Sequence, residues 1–483
     1  MVFSSITFLF YFLPGVLLSY WLVGKKHRNF LLLIASLFFY AWGEGIYLIL
    51  MLASICINYV GGRIIHSYRS TSMGKYVLVV AIVLNLLLLG YYKYGHFVAD
   101  NVNFVLNLLE LPLIQLDPIR LPIGISFFTF QALSYIIDVY RQKIEPQKKF
   151  INLGLYIALF PQLIAGPIVR YCDIAEQLAK RKVTTEGFAT GVQRFLFGLS
   201  KKVLLANPMA VIADQIFALP GSELTTPVAW LGIFCFILQL YYDFSGYSDM
   251  AIGLGRMFGF HLLENFNYPY ISRSMGEFWR RWHISLGTWI RDYIYLPLGG
   301  SKLGEIRTQI NLFTIFFICG LWHGASWNYV VWGIYNGVFI LIERTRYSDY
   351  RRKLWFPLQV LNFLLIFMFG MVIFCNPTLP TAWYYFLVMI GMVGESTSTH
   401  LAASYLNSKV LFEMTVGVIL AMPVYPALVA LRLKLSDRIP MTGRYFLNFT
   451  AHLSQLLFTT ALIYYSCISL ASGVYNPFIY FRF

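Results

Sequence analysis

The sequence holds 483 residues, 58% of them hydrophobic and only 12% charged, and its mean hydropathy is +0.64. Soluble proteins carry about 25% charged residues, so this composition excludes a set of soluble domains and reads as a polytopic membrane protein. The net charge of +15 does not point to nucleic acid, because Lys and Arg fall between apolar runs, as in the cytoplasmic loops of membrane proteins.

A hydrocarbon core about 30 Å thick takes roughly 20 apolar residues of helix. By that measure 6–23, 76–92, 122–140, 150–168, 227–242, 356–376, 409–431 and 447–470 are predicted spans. The stretches 29–42, 45–60, 310–323 and 327–342 are shorter candidates. The first run is followed by "GKKHRN" and preceded by no positive charge. That predicts a retained span, with no cleavable signal and the N-terminus outside the cytoplasm. Basic clusters at Lys25–Arg28, Arg63–Lys75, Arg141–Lys149, Arg344–Lys353 and Arg432–Arg444 mark the cytoplasmic side. Alternation from both ends puts the C-terminus outside as well. Residues 382–394 are too short to span and are predicted to be interfacial or re-entrant. Parts of 170–307, where apolar runs mix with Lys201, Lys202 and Arg256, are predicted to lie on or dip into the cytoplasmic face. "GESTSTHLAASYLNSK" is expected to be a flexible loop. No repeat or soluble segment is apparent, so the chain reads as one membrane domain, 1–483.

The six cysteines form no CxxC. Those at Cys56, Cys235, Cys319, Cys375 and Cys467 sit in apolar runs and read as small buried hydrophobes, not as a disulfide or zinc framework. No paired spacing of metal ligands, phosphate-cradling glycine loop or GxSxG elbow appears.

Two of the eight histidines stand in unusual settings. His323 lies in "GLWHGASWNYVVWG", inside the charge-free run Thr308–Ile342. Two helices of about 17 residues rise about 25 Å each, so this hairpin is short or the membrane is thin there. The turn at Gly324-Ala325-Ser326 places His323 near the tip. A neutral imidazole with a pKa near 6.5 suits proton transfer there; a packing histidine bonded to a backbone carbonyl is the simpler alternative. His283 lies in "EFWRRWHISLGTWIRDYIYLPLGG". The surrounding block 273–307 carries Arg273, Arg280, Arg281, Arg291, Lys302 and Arg307, interleaved with Trp279, Trp282 and Trp289. It is either a snorkelling interfacial anchor or a cytosolic site for a phosphate-bearing donor, since Arg pairs with phosphate bidentately. "QLYYDFSGYSDMAIG" closes an apolar run with Asp243 and Asp249. An acid in lipid costs about 2.5–3.5 kcal/mol on insertion scales, so each should face a cavity or pair with a cation. They either orient a catalytic group or tie helices together.

These blocks, with "MVFSSITFLFYFLP", "RNFLLLIASLFFYAW", "LPIGISFFTFQALSYIIDVYR" and "FPQLIAGPIVRY", resemble the membrane-bound O-acyltransferase family, MBOAT. The likeness is to its bacterial branch that acetylates exported polysaccharides such as alginate. It runs in order from residue 1 to about 340; beyond 350 only hydropathy matches. The resemblance implies an all-α ring of about 11–13 tilted or re-entrant helices, a number set by the apolar runs, around a thin centre with an outward funnel. It divides the domain into a catalytic core, 1–345, and C-terminal spans with a periplasmic tail, 346–483. It implies His323 as general base and His283, oriented by Asp243 or Asp249, beside the donor. Arg280, Arg281 and Arg291 would hold phosphates, with Trp279, Trp282 and Asn336 completing the substrate contacts. The implied donor is acetyl-CoA or an acyl-carrier-protein thioester, with no tightly bound cofactor or metal. The implied setting is the bacterial inner membrane and its lipid. The implied partner is a periplasmic SGNH-type acetyltransferase subunit. The ending "NPFIYFRF" is similar to the tail of the small companion peptide in teichoic acid D-alanylation, which would make Tyr480 an acyl acceptor; an aromatic belt is the alternative. A flippase or transporter shares the buried acids, although the two related halves common in transporters are not evident. Within the family, D-alanyl transfer to teichoic acid, or acetylation of cellulose or peptidoglycan, stays open.

Overall fold

The computed structural model describes residues 1–393, 401–473 and 475–477. Tyr480 and the first part of the predicted loop, 394–400, therefore lie outside the described residues. Among the described residues the chain is helical, with one isolated bridge, between Phe266 and Trp282. In chain order the main helices are α1 (Phe8–Leu22), α2 (Arg28–Glu44), α3 (Leu48–Tyr68), α4 (Ser72–Leu108), α5 (Ile125–Tyr140), α6 (Phe150–Ala158), α7 (Tyr171–Lys180), α8 (Thr185–Phe217) and α9 (Thr226–Met257). Then follow α10 (Met275–Arg281), α11 (Ile284–Ile290), α12 (Glu305–His323), α13 (Trp327–Ile342), α14 (Phe356–Cys375), α15 (Leu379–Met389), α16 (Ser408–Leu420), α17 (Val424–Arg438) and α18 (Met441–Ala471). Among the described residues six helical stretches are long and apolar enough to cross a membrane, or seven if the bent pair α16–α17 is one span.

Several predicted spans take a different form, each for a visible reason. The 150–168 span is not one helix. It stops at Ala158, resumes for Phe160–Leu163 and then runs on without helix. Pro161 and Pro167 lack the N–H a helix needs. Residues 153–169 are all buried, so the irregular backbone is shielded by protein, as membrane depth demands. The 409–431 span bends by 60° between α16 and α17, just at Pro423. The 382–394 segment overlaps the short helix α15, which has 11 residues. Cys235 is buried as expected, but Cys56 is exposed on the outer surface.

The largest correction concerns 170–307. Part of it, α8, is long and apolar enough to cross the membrane instead of lying on its face. Its charges looked incompatible with lipid, yet they are neutralised by the next helix. Lys202 Nζ sits 2.9 Å from Asp243 Oδ1, both side chains almost fully buried. Asp249 takes Arg194 at 2.7 Å and Lys201 at 2.6 Å. For the same reason α9 does not stop near residue 242 but continues to Met257. Asn207-Pro208 lies where α8 widens into a π turn over Lys201–Ala206, the register shift expected where proline removes a backbone donor.

Glycines let α8 and α9 come this close. Gly191 faces Gly253, and Gly198 faces Gly246, each pair backbone to backbone; a Cβ on Gly253 would lie 2.6 Å from the Gly191 carbonyl oxygen. Small residues drive helix association in lipid by allowing such approach. Burial covers 89% of the apolar window of α9 but 6% of that of α18, so α9 is the central helix and α18 lies at the rim. At the other end, Asn85 of α4 accepts from Ser54 and Asn58 of α3, which fixes the rotation of α4.

Candidate active site

The hairpin of α12 and α13 carries His323 as the last residue of α12. Gly320 and Gly333 meet where the two helices are closest; a Cβ on Gly333 would lie 2.5 Å from the Phe316 carbonyl oxygen and 3.0 Å from the Gly320 Cα. The last carbonyls of a helix lack intrahelical partners, and here α4 supplies them. Tyr94 Oη donates to Leu321 O at 2.7 Å, and Lys93 Nζ donates to Trp322 O. His323 is thus mounted on a helix end held from outside. Its half-buried ring lies 4.8 Å from that of Trp322, 5.0 Å from Trp332 and 5.3 Å from Phe374.

His323 lines two cavities. One is aromatic: Phe244, Phe278, Trp279, Trp282 and Trp332 are among its walls. The other is bounded by 121–127, Ile164, Trp322 and Lys93. The imidazole is common to both.

His283 breaks the chain between α10 and α11 with φ 47° and ψ 51°. A left-handed conformation costs a non-glycine residue about 1–3 kcal/mol and persists only where the surroundings enforce it. Asn265 does so. Its backbone carbonyl accepts from Ile284 N–H at 3.0 Å, and its Oδ1 accepts from Ser285 N and Oγ at 3.2 and 2.9 Å. Those donors fix the amide orientation, so His283 Nδ1, 3.1 Å from the same oxygen, must be the protonated nitrogen. Nε2 is then a bare acceptor, buried with no hydrogen-bond partner among the described residues. The ring packs edge-on to Phe244 at 4.7 Å and lies 6.2 Å from Trp322. Trp279 Nε1 and Trp322 Nε1 are likewise buried and unpartnered. An unsatisfied buried polar group costs about 1–3 kcal/mol, so these three nitrogens are candidate contacts for a polar ligand.

The other predicted site residues divide. Trp279 and Trp282 line the aromatic cavity with His323. Asp243 and Asp249 pair with cations of α8; the residue bonded to the His283 ring is Asn265, which sequence reasoning missed. Asn336 is buried one turn beyond Trp332, donates to its carbonyl at 2.7 Å and lines neither cavity. Arg281 is engaged by Glu277 and the Asn267 carbonyl. Burial opposes the charge on Glu277, but hydrogen bonds from the Arg273 backbone and from Arg281 and Arg273 side chains outweigh it and hold the carboxyl below its ordinary range. Arg291 pairs with Asp292 at 2.8 Å, which also holds Arg170. Arg280 is exposed and makes no hydrogen bond or ion pair among the described residues, so its guanidinium is the most available. Lys93 was also missed: the predicted span stopped at residue 92. The signal was there, because Lys93 stands by itself between Lys75 and Asp100 in apolar sequence.

His323 stands at the hairpin tip, where the turn at Gly324-Ala325-Ser326 was expected to place it. A family model for the membrane-bound O-acyltransferases, MBOAT, matches residues 139–377. Probable alginate O-acetylase AlgI of Pseudomonas putida is 38% identical over 488 residues, covering 100% of each chain. The chain belongs to the MBOAT family. AlgI of Pseudomonas aeruginosa, also named a probable alginate O-acetylase, is 46% identical over 385 residues, 79% of this chain and 74% of its own. The peptidoglycan O-acetyltransferase of Helicobacter pylori is 34% identical over 448 residues, 84% of this chain and 83% of its own. This MBOAT protein is a multi-pass membrane O-acyltransferase, as the sequence motifs led us to expect.

The Asn265 geometry makes a direct prediction for the MBOAT site. Asn265→Ala is expected to slow acyl transfer about five- to tenfold, since a lost hydrogen bond of about 1–1.5 kcal/mol is worth roughly that factor. Asn265→Asp keeps an acceptor at the same place and should lose less. Initial rates of thioester-dependent transfer in detergent would show it; equal rates for both variants and the wild type would remove Asn265 from the site.

Proposed function

We propose that the chain is the membrane subunit that takes an acetyl group from a cytosolic thioester, acetyl-CoA or an acyl-carrier protein, and delivers it across the bacterial inner membrane for O-acetylation of an exported, alginate-like polysaccharide. The observation that carries this reading is the position of His323, whose ring lines two cavities at once. A donor approaching through the aromatic cavity and an acceptor through the other would meet at one imidazole. His323 acts as general base and takes the acceptor hydroxyl proton as the oxygen attacks the thioester carbonyl. The departing thiolate then recovers that proton from the imidazolium. The bare Nε2 of His283 suits an N–H of the donor arm, such as a pantetheine amide. Trp279 and Trp282 pack against that arm, and Arg280 is the cation available for its phosphates. Asp243, Asp249, Asn336, Arg281 and Arg291 support the frame.

The acceptor that receives the acetyl group first is Tyr480, in the tail at the end of the chain. A phenol with a pKa near 10 is easier to deprotonate than a sugar hydroxyl, and its ester stays activated for the next step. The chain just before the tail is well anchored, which favours this reading. Asn476 bonds to Ser4 and Asn207, at 3.1 and 3.2 Å, and Lys202 donates to the Pro477 carbonyl. A periplasmic SGNH-type acetyltransferase would take the group on to the polysaccharide. The test uses purified protein in liposomes with a radiolabelled acetyl thioester. Wild type should consume thioester and gain label, and Tyr480→Phe should gain none while remaining folded. Passage of intact lipid-linked sugar with no thioester loss would replace the enzyme by a flippase; label on Tyr480→Phe equal to wild type would mean that His323 serves the periplasmic partner directly.

A further inference from the structure

We propose that Lys93 is a catalytic residue that stabilises the oxyanion of the acyl-transfer step; this inference rests on the transfer reading above. Lys93 lies within the long apolar helix α4. An ammonium in an apolar helix is costly to place in lipid, and intramembrane charges are rarely kept without a task. No carboxylate pairs with it among the described residues. Its Nζ donates to the carbonyl of Trp322, the residue next to His323, and lies 5.6 Å from the centroid of the Trp322 ring. An ammonium has three N–H donors, and this contact uses one. The side chain also lines the cavity that His323 lines, where it is the charged group among the lining residues. The remaining donors therefore serve the space in which His323 works.

The chemistry calls for such a group. As the acceptor oxygen attacks the thioester carbonyl carbon, its proton passes to His323 and the carbonyl π pair moves onto oxygen. The tetrahedral intermediate then carries a full negative charge. Collapse re-forms the C=O bond, breaks the C–S bond and sends the proton from imidazolium to thiolate. Lys93 keeps its protons throughout and supplies the positive charge opposite the oxyanion. A fixed donor in a water-poor site acts most strongly where charge develops.

The competing role is a clamp: Lys93 would only hold the end of α12, as Tyr94 does through Leu321 O. Variants separate the two. Lys93→Met should lower kcat about 10²–10³-fold, the usual effect of removing one oxyanion donor, with the thioester KM changed less than about threefold. Lys93→Gln keeps a neutral donor for the Trp322 carbonyl and should remain equally impaired, which covers the case in which Lys93→Met does not fold. Lys93→Arg should recover about tenfold or more over Lys93→Met. Tyr94→Phe removes a neighbouring clamp bond without touching charge, and should cost less than about tenfold. The role is overturned if Lys93→Gln matches wild type, if Tyr94→Phe falls as far as Lys93→Met, or if Lys93→Arg recovers nothing. Wild-type protein that transfers no acetyl refutes the transfer reading as a whole; active wild type with an unaffected Lys93→Gln refutes this role alone.

Discussion

Replacing His323 by Ala or Gln is expected to lower acyl transfer by about 10²–10⁴-fold, the range supplied by a positioned base, while the protein accumulates and unfolds much as the wild type does. The separation of activity from folding follows from how the hairpin is held. Its closest approach is made by Gly320 and Gly333, and the end of α12 is held by Tyr94 and Lys93 through backbone carbonyls. Neither depends on the imidazole. The ring is half-buried and flanked by aromatic rings on two adjoining helices. Its loss enlarges space already open on both sides, so the structure has little to collapse. Turnover and thermal unfolding measured on the same detergent-purified samples decide the matter. Wild-type turnover in His323→Gln would end the proposed role.

The second large effect concerns the frame. Breaking the buried pair of Lys202 and Asp243 with either Lys202→Met or Asp243→Asn should destabilise the protein by roughly 3–5 kcal/mol, because each leaves an uncompensated charge in a site that water does not reach. Both side chains are buried to within a few per cent. The double variant Lys202→Met/Asp243→Asn should recover most of that loss, since replacing both charged groups can be nearly neutral. Thermal unfolding of the four proteins gives the coupling directly. Single variants that unfold within about 1 kcal/mol of wild type would mean that the glycine contacts, not the ion pair, hold α8 to α9.

What the sequence made legible follows the physics of each signal. Long apolar runs and the hairpin tip at Gly324-Ala325-Ser326 were readable, because hydropathy and turn residues are local. The aromatic walls at Trp279 and Trp282 were readable from their motif. The course of α8 was not: Arg194, Lys201 and Lys202 look like surface charges until Asp243 and Asp249, some 40 to 55 residues away, are seen beside them. Asn265 was invisible for a similar reason. Its task is to accept several donors from the 283–285 turn, and nothing local distinguishes it from any loop asparagine. Arg281 and Arg291 show what a basic block hides. A basic block suggests free cations, but Glu277 and Asp292 within the same block already occupy them.

The charged seam between α8 and α9 also constrains how the protein is made. Each helix alone would present the bilayer with charges it does not tolerate, at about 2.5–3.5 kcal/mol for a residue near the centre. Together they present glycines, apolar side chains and closed ion pairs. The connection from Phe217 to Thr226 is short, so the second helix emerges from the ribosome directly after the first. The helical pair is therefore the smallest unit that presents the bilayer with none of these charges bare.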